Sequence, residues 1–142
     1  MSISRNQLGV VYNAYQRDYK KVLTVCSAGC LRSPTAAHIL SSPPFNFNTR
    51  CAGTSQEYAI VPVTDALIVW ADVILCMDAL QQQDINIRQN SIAQQLTDYD
   101  YKQVINLDIP DLYDYRNPEL VKIMTDKFMD IFAKDLLDNS TK

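Results

Sequence analysis

Residues 22–34 read Val-Leu-Thr-Val-Cys-Ser-Ala-Gly-Cys-Leu-Arg-Ser-Pro, an apolar run followed by a cysteine, an arginine and a proline. The run Lys21–Val25 is dense in aliphatic and β-branched residues, which predicts a buried strand with Cys26 at its end. Pro34 suits the first turn of a helix, where its missing N–H costs nothing, so we predict a helix over Pro34–Leu40. A short loop then joins the end of a strand to the start of a helix.

The residues of this loop fit an anion site. A helix N-terminus favours an anion because unbonded N–H groups and the positive end of the helix dipole face it. Cys26 and Arg32 follow the spacing Cys-x5-Arg; a thiolate is a nucleophile, and a guanidinium donates two hydrogen bonds to phosphoryl oxygens. The spacing alone is a weak signal, but Gly29 inside the loop, Ser33 after the arginine and the flanking elements make it more specific. The alternative is a buried structural cysteine beside a surface arginine.

The composition is that of one globular domain. The chain has 142 residues, of which 47% are hydrophobic and 20% charged. The net charge is −3 with no basic block beyond Lys20-Lys21, so nucleic acid and membranes are poor partners. Without a long apolar run or a signal peptide, we expect a cytoplasmic protein. The cysteines have neither zinc nor disulfide-scaffold spacing, so we expect reduced thiols and no metal or cofactor; they are Cys26, Cys30, Cys51 and Cys76.

Strand and helix signals alternate along the chain. Further strands are predicted at 48–52, 71–77 and 103–107, and helices at 63–70, from an Asp78 cap toward Arg88, and from Asn117 through Leu136. This alternation predicts a single three-layer α/β domain, with a four-stranded parallel sheet and helices on both faces. Ligands of such folds bind beyond the carboxyl ends of the strands, where Cys26 and the loop 108–116 can converge.

The domain is predicted to span residues 21–138, with 139–142 as a tail. Segment 1–20 precedes the first predicted strand, and its apolar residues predict an amphipathic helix that packs on the domain.

Four segments resemble low-molecular-weight protein tyrosine phosphatases, in the order in which that family carries them. Residues 25–34 resemble the family's signature loop, Cys51–Thr54 its Ser-Ala-Gly-Thr segment, Ile74–Asp78 its third strand, and Ile109–Tyr113 its acid loop. Leu107–Asp111 and Asn117–Val121 are closer to a shorter bacterial subgroup of predicted tyrosine phosphatases. The chain departs from the family pattern at Leu31, where a second cysteine is usual, and at Leu112, where the acid loop usually has proline.

The resemblance implies a metal-independent hydrolase of phosphomonoesters, a protein tyrosine phosphatase whose partner is a phosphotyrosine protein or a small aryl phosphate. Cys26 would form a phosphocysteine, helped by the hydroxyl of Ser33. Asp111 would be the general acid and then the base, with Asp108 as its main rival. Tyr113 would line the pocket. Phosphate would be bound by Arg32 and by the loop residues Ser27, Ala28, Gly29, Cys30 and Leu31.

Two other functions remain open. A thiol-coupled arsenate reductase has a similar loop, but it needs resolving cysteines on a mobile segment, and Cys51 and Cys76 lie in or beside predicted strands. A non-catalytic phosphate-binding module would not need Cys26 and Asp111 intact. Cys30 either captures oxidised Cys26 as a disulfide or only fills space at the base of the loop.

Overall fold

The structure, a computed structural model, describes residues 10–11, 19–26, 32–55, 61–110 and 117–139. Its strands are β1 (Val10–Val11), β2 (Lys21–Cys26), β3 (Asn48–Gly53), β4 (Val73–Cys76) and β5 (Gln103–Asn106). Its helices are α1 (Arg32–Ser41), α2 (Asp65–Trp70), α3 (Ala79–Gln95), α4 (Pro118–Ile131) and α5 (Ala133–Asn139). The predicted alternation of strands and helices is confirmed, and α5 extends one residue into the predicted tail.

The strands form one sheet in the order β1-β3-β2-β4-β5. β3, β2, β4 and β5 are parallel, which confirms the predicted four-stranded parallel sheet. β1 pairs with β3 in the antiparallel direction and forms one edge of the sheet, with Val10 opposite Arg50 and Val11 opposite Thr49. The helix predicted for segment 1–20 is therefore not found at these two β-branched residues, where the edge of β3 offers unpaired backbone groups. Residues 1–9 and 12–18 lie outside the described part of the chain.

Two hydrophobic clusters cover the two faces of the sheet. On the first face, Cys26 and Met77 belong to the cluster that includes Leu40 of α1 and Met124 of α4. On the second face, Leu23, Val25, Ile74 and Cys76 pack with Ile68 of α2 and with Ile85 and Ile92 of α3. Side chains alternate along a strand, so neighbours such as Val25 and Cys26 face opposite layers. The nucleophile proposed from the sequence therefore lies on the α1 side of the sheet.

The Asp78 cap is confirmed. The N–H of Gln81 donates to Oδ1 of Asp78 at 3.0 Å, and Oε1 of Gln81 accepts the N–H of Asp78 at 3.2 Å, which forms a capping box. α3 continues to Gln95, into the polar region 91–101 where the sequence carries no clear signal. No helix among the described residues is both long and apolar enough to cross a membrane.

The predicted final helix is divided in two at Phe132. The backbone of Phe132 leaves the helical region (φ −104°, ψ 21°), and α5 begins at the next residue. The side chain of Phe132 is buried, with its ring 5.0 Å from the ring of Phe47 and 6.2 Å from that of Phe128. The break lies where this ring enters the core of the first face.

Candidate active site

Cys26 ends the central strand, and α1 begins at Arg32 rather than at the predicted Pro34. Residues 27–31 thus join the carboxyl end of β2 directly to the N-terminus of α1. Cys26 is only 3% exposed and belongs to the same cluster as Ala36 and Leu40 of α1. Strand and helix packing therefore holds this cysteine at the base of the connection, on the face that α1 covers.

Gly53 lies beside Cys26 on the neighbouring strand. The two residues are paired in the parallel register of β2 and β3, and the N–H of Thr54 donates to the carbonyl oxygen of Cys26 at 2.9 Å. The N–H of Gly53 donates to Val61 at 2.8 Å, and its carbonyl accepts from Val63 at 2.9 Å. Because Gly53 has no Cβ, backbone and ligand atoms can approach Cys26 closely from this side.

The other two described cysteines, Cys51 and Cys76, are buried thiols with raised pKa values. Burial, with a smaller contribution from the nearby negative charge of a Cys26 thiolate, raises the pKa of the Cys51 thiol to about 12. Burial likewise raises the pKa of Cys76 to about 12, with additional contributions from the charges of Asp78 and Asp84. Cys26, Cys51 and Cys76 form no disulfide bond within the described part of the chain, and Cys30 lies outside it.

The chain after β5 is anchored to β4 through a bulge. The N–H of Leu107 donates to Cys76 at 2.8 Å, and the N–H of Ile109 donates to Met77 at 2.8 Å. The chain after β5 advances by two residues, from Leu107 to Ile109, while the chain at the end of β4 advances by one, from Cys76 to Met77. A β-bulge has this excess of one residue on one of its two chains. The extra residue is Asp108, which has φ 57° in the left-handed region.

The side chains of this segment alternate between the core and the solvent. Leu107 and Ile109 are both 2% exposed and belong to the cluster that contains Cys26, whereas Asp108 between them is exposed. The N–H of Asp108 donates to Oδ1 of Asn106 at 2.9 Å. Since β4 lies between β2 and β5 and neighbouring strands are about 4.8 Å apart, the chain at Leu107 runs roughly 10 Å from β2. A few residues of loop suffice to cross that distance.

The structure places some of the predicted site residues. It describes Cys26 and Asp108, and it describes the backbone of Arg32 and Ser33 as the first turn of α1. The remaining predicted residues lie outside the described ranges; they are Ser27, Ala28, Gly29, Cys30, Leu31, Asp111 and Tyr113.

Two neighbours of the site were not identified from the sequence. They are Asn106 and Met77, which hold the chain on either side of Asp108. The spacing Asn-x-Asp at 106–108 is a signal that could have revealed the first, since asparagine side chains bond to backbone N–H groups two residues on. Met77 acts through its backbone carbonyl, which every residue has, so the sequence does not reveal its role.

Comparisons with known proteins identify the fold. No protein-family model and no curated protein sequence matches the chain. Among solved structures, the tyrosine phosphatase Wzb from Escherichia coli K30 in complex with phosphate has a TM-score of 0.59 at 14% identity, covering 82% of this chain and 98% of that one. SP-PTP, a low-molecular-weight protein tyrosine phosphatase from Streptococcus pyogenes, has a TM-score of 0.57 at 18% identity, covering 84% and 97%.

A third similar structure carries a different activity. It is the YwlE arginine phosphatase from Geobacillus stearothermophilus, with a TM-score of 0.57 at 18% identity over 84% of this chain and 96% of that one. The chain thus has the fold of the low-molecular-weight protein tyrosine phosphatases, as the sequence predicted.

Proposed function

We propose that this protein is a metal-independent phosphomonoester hydrolase of the cytoplasm, a protein tyrosine phosphatase that acts through a phosphocysteine on Cys26. The observation that carries the proposal is the position of Cys26 at the carboxyl end of the central strand, on the face covered by α1, whose first residue is Arg32. The carboxyl ends of parallel strands are where such folds bind ligands, and a helix N-terminus favours an anion.

The reaction has two displacement steps at phosphorus. The Cys26 thiolate attacks in line, so that a P–S bond forms while the P–O bond to the leaving group breaks, and Asp111 donates its proton to the departing oxygen. The Asp111 carboxylate then takes a proton from water, whose oxygen attacks phosphorus and breaks the P–S bond. Inorganic phosphate leaves, and the thiolate is restored.

The phosphate-binding groups stabilise the negative charge on the phosphoryl oxygens during both steps. Arg32 and the N–H groups of residues 27–32 stabilise the equatorial oxygens, and the Ser33 hydroxyl donates to the thiolate. This donor set neutralises the developing charge without a metal ion.

The burial of Cys26 favours an aryl phosphate. Cys26 is only 3% exposed, so a phosphoryl group on a stem longer than that of phosphoserine would reach it more easily. A phenolic ring supplies such a stem, and Tyr113 would contact its face. The fold is shared with both tyrosine and arginine phosphatases, so the substrate panel includes phosphoarginine beside phosphotyrosine and phosphoserine peptides.

The testing experiment measures turnover of p-nitrophenyl phosphate with and without EDTA, in the wild type, Cys26→Ser and Cys76→Ala. We expect EDTA-resistant turnover in the wild type and in Cys76→Ala, which lacks a buried thiol on the opposite face. Cys26→Ser should be reduced to background, and acid quenching of the wild type should trap phosphate on the Cys26 peptide. Full activity in Cys26→Ser, or no trapped phosphate, would contradict the proposal.

The alternatives make different demands on the cysteines. An arsenate reductase needs a resolving thiolate, and burial keeps the pKa values of Cys51 and Cys76 at about 12, far from ionisation at neutral pH. Arsenate reduction coupled to thioredoxin would nevertheless overturn the assignment. Phosphate binding by the wild type without any turnover would instead identify a non-catalytic module.

A further inference from the structure

We propose that Asn106 is a positioning residue for the general acid, because its side chain holds the backbone turn from which the acid loop departs. The inference rests on the proposed function and assigns Asn106 a role that acts through the backbone of Asp108.

The first observation is a side-chain hydrogen bond across the bulge. Oδ1 of Asn106 accepts the N–H of Asp108 at 2.9 Å, which closes a turn of the kind that asparagine commonly forms with the residue two positions on. Asp108 sits at φ 57°, a conformation that a residue with a Cβ adopts only at a cost. The bond from Asn106 therefore stabilises a backbone conformation that Asp108 does not favour by itself.

The second observation is that this turn connects two core anchors. Leu107 and Ile109 both donate N–H groups to the end of β4 and both bury their side chains in the cluster of Cys26. Asp108 joins these two anchors in the left-handed conformation that the Asn106 bond stabilises. The hydrogen bond from the Asp108 N–H to Asn106 and the two backbone hydrogen bonds of Leu107 and Ile109 therefore hold the same turn.

The consequence concerns the residue two positions beyond Ile109. Asp111 lies within about 7 Å of Ile109 along the chain, so the direction in which the chain leaves this anchor limits where its carboxyl can lie. A displacement of about 1 Å can lower a rate by two orders of magnitude when a catalytic group must meet its target. Loss of the Asn106 bond should therefore weaken the steps that need the acid and spare those that do not.

The experiment compares Asn106→Ala, Asn106→Asp and Asn90→Ala with the wild type. Asn106→Asp keeps an acceptor at the same place, and Asn90→Ala is the matched control, since Oδ1 of Asn90 also accepts one exposed hydrogen bond, from Tyr101 at 2.8 Å. The substrates are phenyl phosphate, a poor leaving group, and p-nitrophenyl phosphate, a good one. The measured quantity is kcat/KM, which reports steps up to loss of the leaving group.

We expect Asn106→Ala to lower kcat/KM for phenyl phosphate by about 10- to 100-fold, while that for p-nitrophenyl phosphate stays within about threefold of the wild type. Asn106→Asp and Asn90→Ala should resemble the wild type with both substrates. Hydrogen exchange at the Asp108 amide should be faster in Asn106→Ala alone. If Asn106→Ala does not fold, Asn106→Leu, which keeps the volume and lacks the acceptor, replaces it.

The other outcomes contradict either the positioning role of Asn106 or the proposed function. An equal loss with both substrates, or no loss with either, overturns the positioning role while the wild-type turnover upholds the proposed function. Failure of Asn106→Asp to restore activity also overturns it, because the acceptor is then not the relevant property. Absence of wild-type turnover overturns the proposed function, and this inference falls with it.

Discussion

The carbonyl oxygen of Met77 accepts the N–H of Ile109 at 2.8 Å, so the first residues of the candidate acid loop are bonded to the end of β4. The N–H of the same Met77 donates to the carbonyl of Val25, the residue before Cys26, at 3.2 Å. Oε1 of Gln81 also accepts this N–H, at 2.8 Å. The residue directly after β4 therefore connects the strand that ends in the proposed nucleophile with the loop that carries the proposed acid.

The identity of the acid is tested by leaving-group dependence. We expect Asp111→Asn to lower kcat/KM for phenyl phosphate by about 10²- to 10⁴-fold, and much less for p-nitrophenyl phosphate, whose oxygen leaves without a proton. Asp108→Asn should leave both values near those of the wild type, because Asp108 is exposed between two residues that face the Cys26 cluster. The reverse pattern would transfer the role to Asp108.

The role of Arg32 depends on the shape of its side chain. We expect Arg32→Lys to lower kcat/KM by about 10²- to 10³-fold, since a lysine ammonium cannot donate two parallel hydrogen bonds to a phosphoryl group. Binding of inorganic phosphate, measured as competitive inhibition, should weaken as well. Lys21→Arg is a useful control, because it changes the same pair of residue types at the other end of β2. Unchanged rates and unchanged inhibition in Arg32→Lys would rule out the arginine contact.

The backbone of Asp108 makes a prediction about stability. At φ 57° a glycine is unstrained, so Asp108→Gly should keep or raise the free energy of unfolding, whereas Asp108→Val should lower it by about 1–2 kcal/mol. Asp100→Gly is the control, because Asp100 is also exposed and has no positive φ, so the extra freedom of glycine in the unfolded chain should lower the free energy of unfolding by about 0.4–1 kcal/mol. Urea unfolding of the variants measures all of these differences. A loss in Asp108→Gly as large as in Asp100→Gly would contradict the backbone argument.

The buried thiols predict a loss of stability at high pH. Burial raises the pKa of Cys51 and of Cys76 from 9.0 to about 12, so between these values the unfolded chain has released protons that the folded chain retains. Unfolding is favoured by the release, and the stabilisation present below pH 9 is lost as the pH rises toward 12. We expect the free energy of unfolding to fall more steeply over this range in the wild type than in the double variant Cys51→Ala, Cys76→Ala. Parallel curves would show that the thiols do not contribute.

Cys30 is tested by oxidation. If it captures the sulfenic acid of Cys26, a thiol should restore activity after peroxide treatment in the wild type and much less in Cys30→Ser. Cys51→Ser and Cys76→Ser are the controls, since their thiols are buried in the sheet and should not affect recovery. Equal recovery of the wild type and Cys30→Ser, with no linked Cys26–Cys30 peptide by mass spectrometry, would leave Cys30 as a packing residue.

Local patterns were enough to predict much of this molecule. The strand ending at Cys26, the parallel alternation and the Asp78 cap each follow from a few neighbouring residues, because apolar periodicity and capping act within one or two turns of the chain. The candidate nucleophile and arginine came from the same short stretch. These predictions needed no knowledge of which segments meet in space.

Other features depended on distant contacts. The edge strand Val10–Val11 is too short to have a periodicity and exists because the edge of β3 is available. The break at Phe132 lies where its ring packs on Phe47, 85 positions earlier in the chain. The bulge at Asp108 requires two anchors on β4, a partner that the sequence around residue 108 does not reveal. Local sequence thus determined the four parallel strands and most of the helical segments. Tertiary packing decided the edge strand, the ends of the elements and the geometry around the candidate site, because a strained or interrupted backbone is stable only where distant residues bond or bury it.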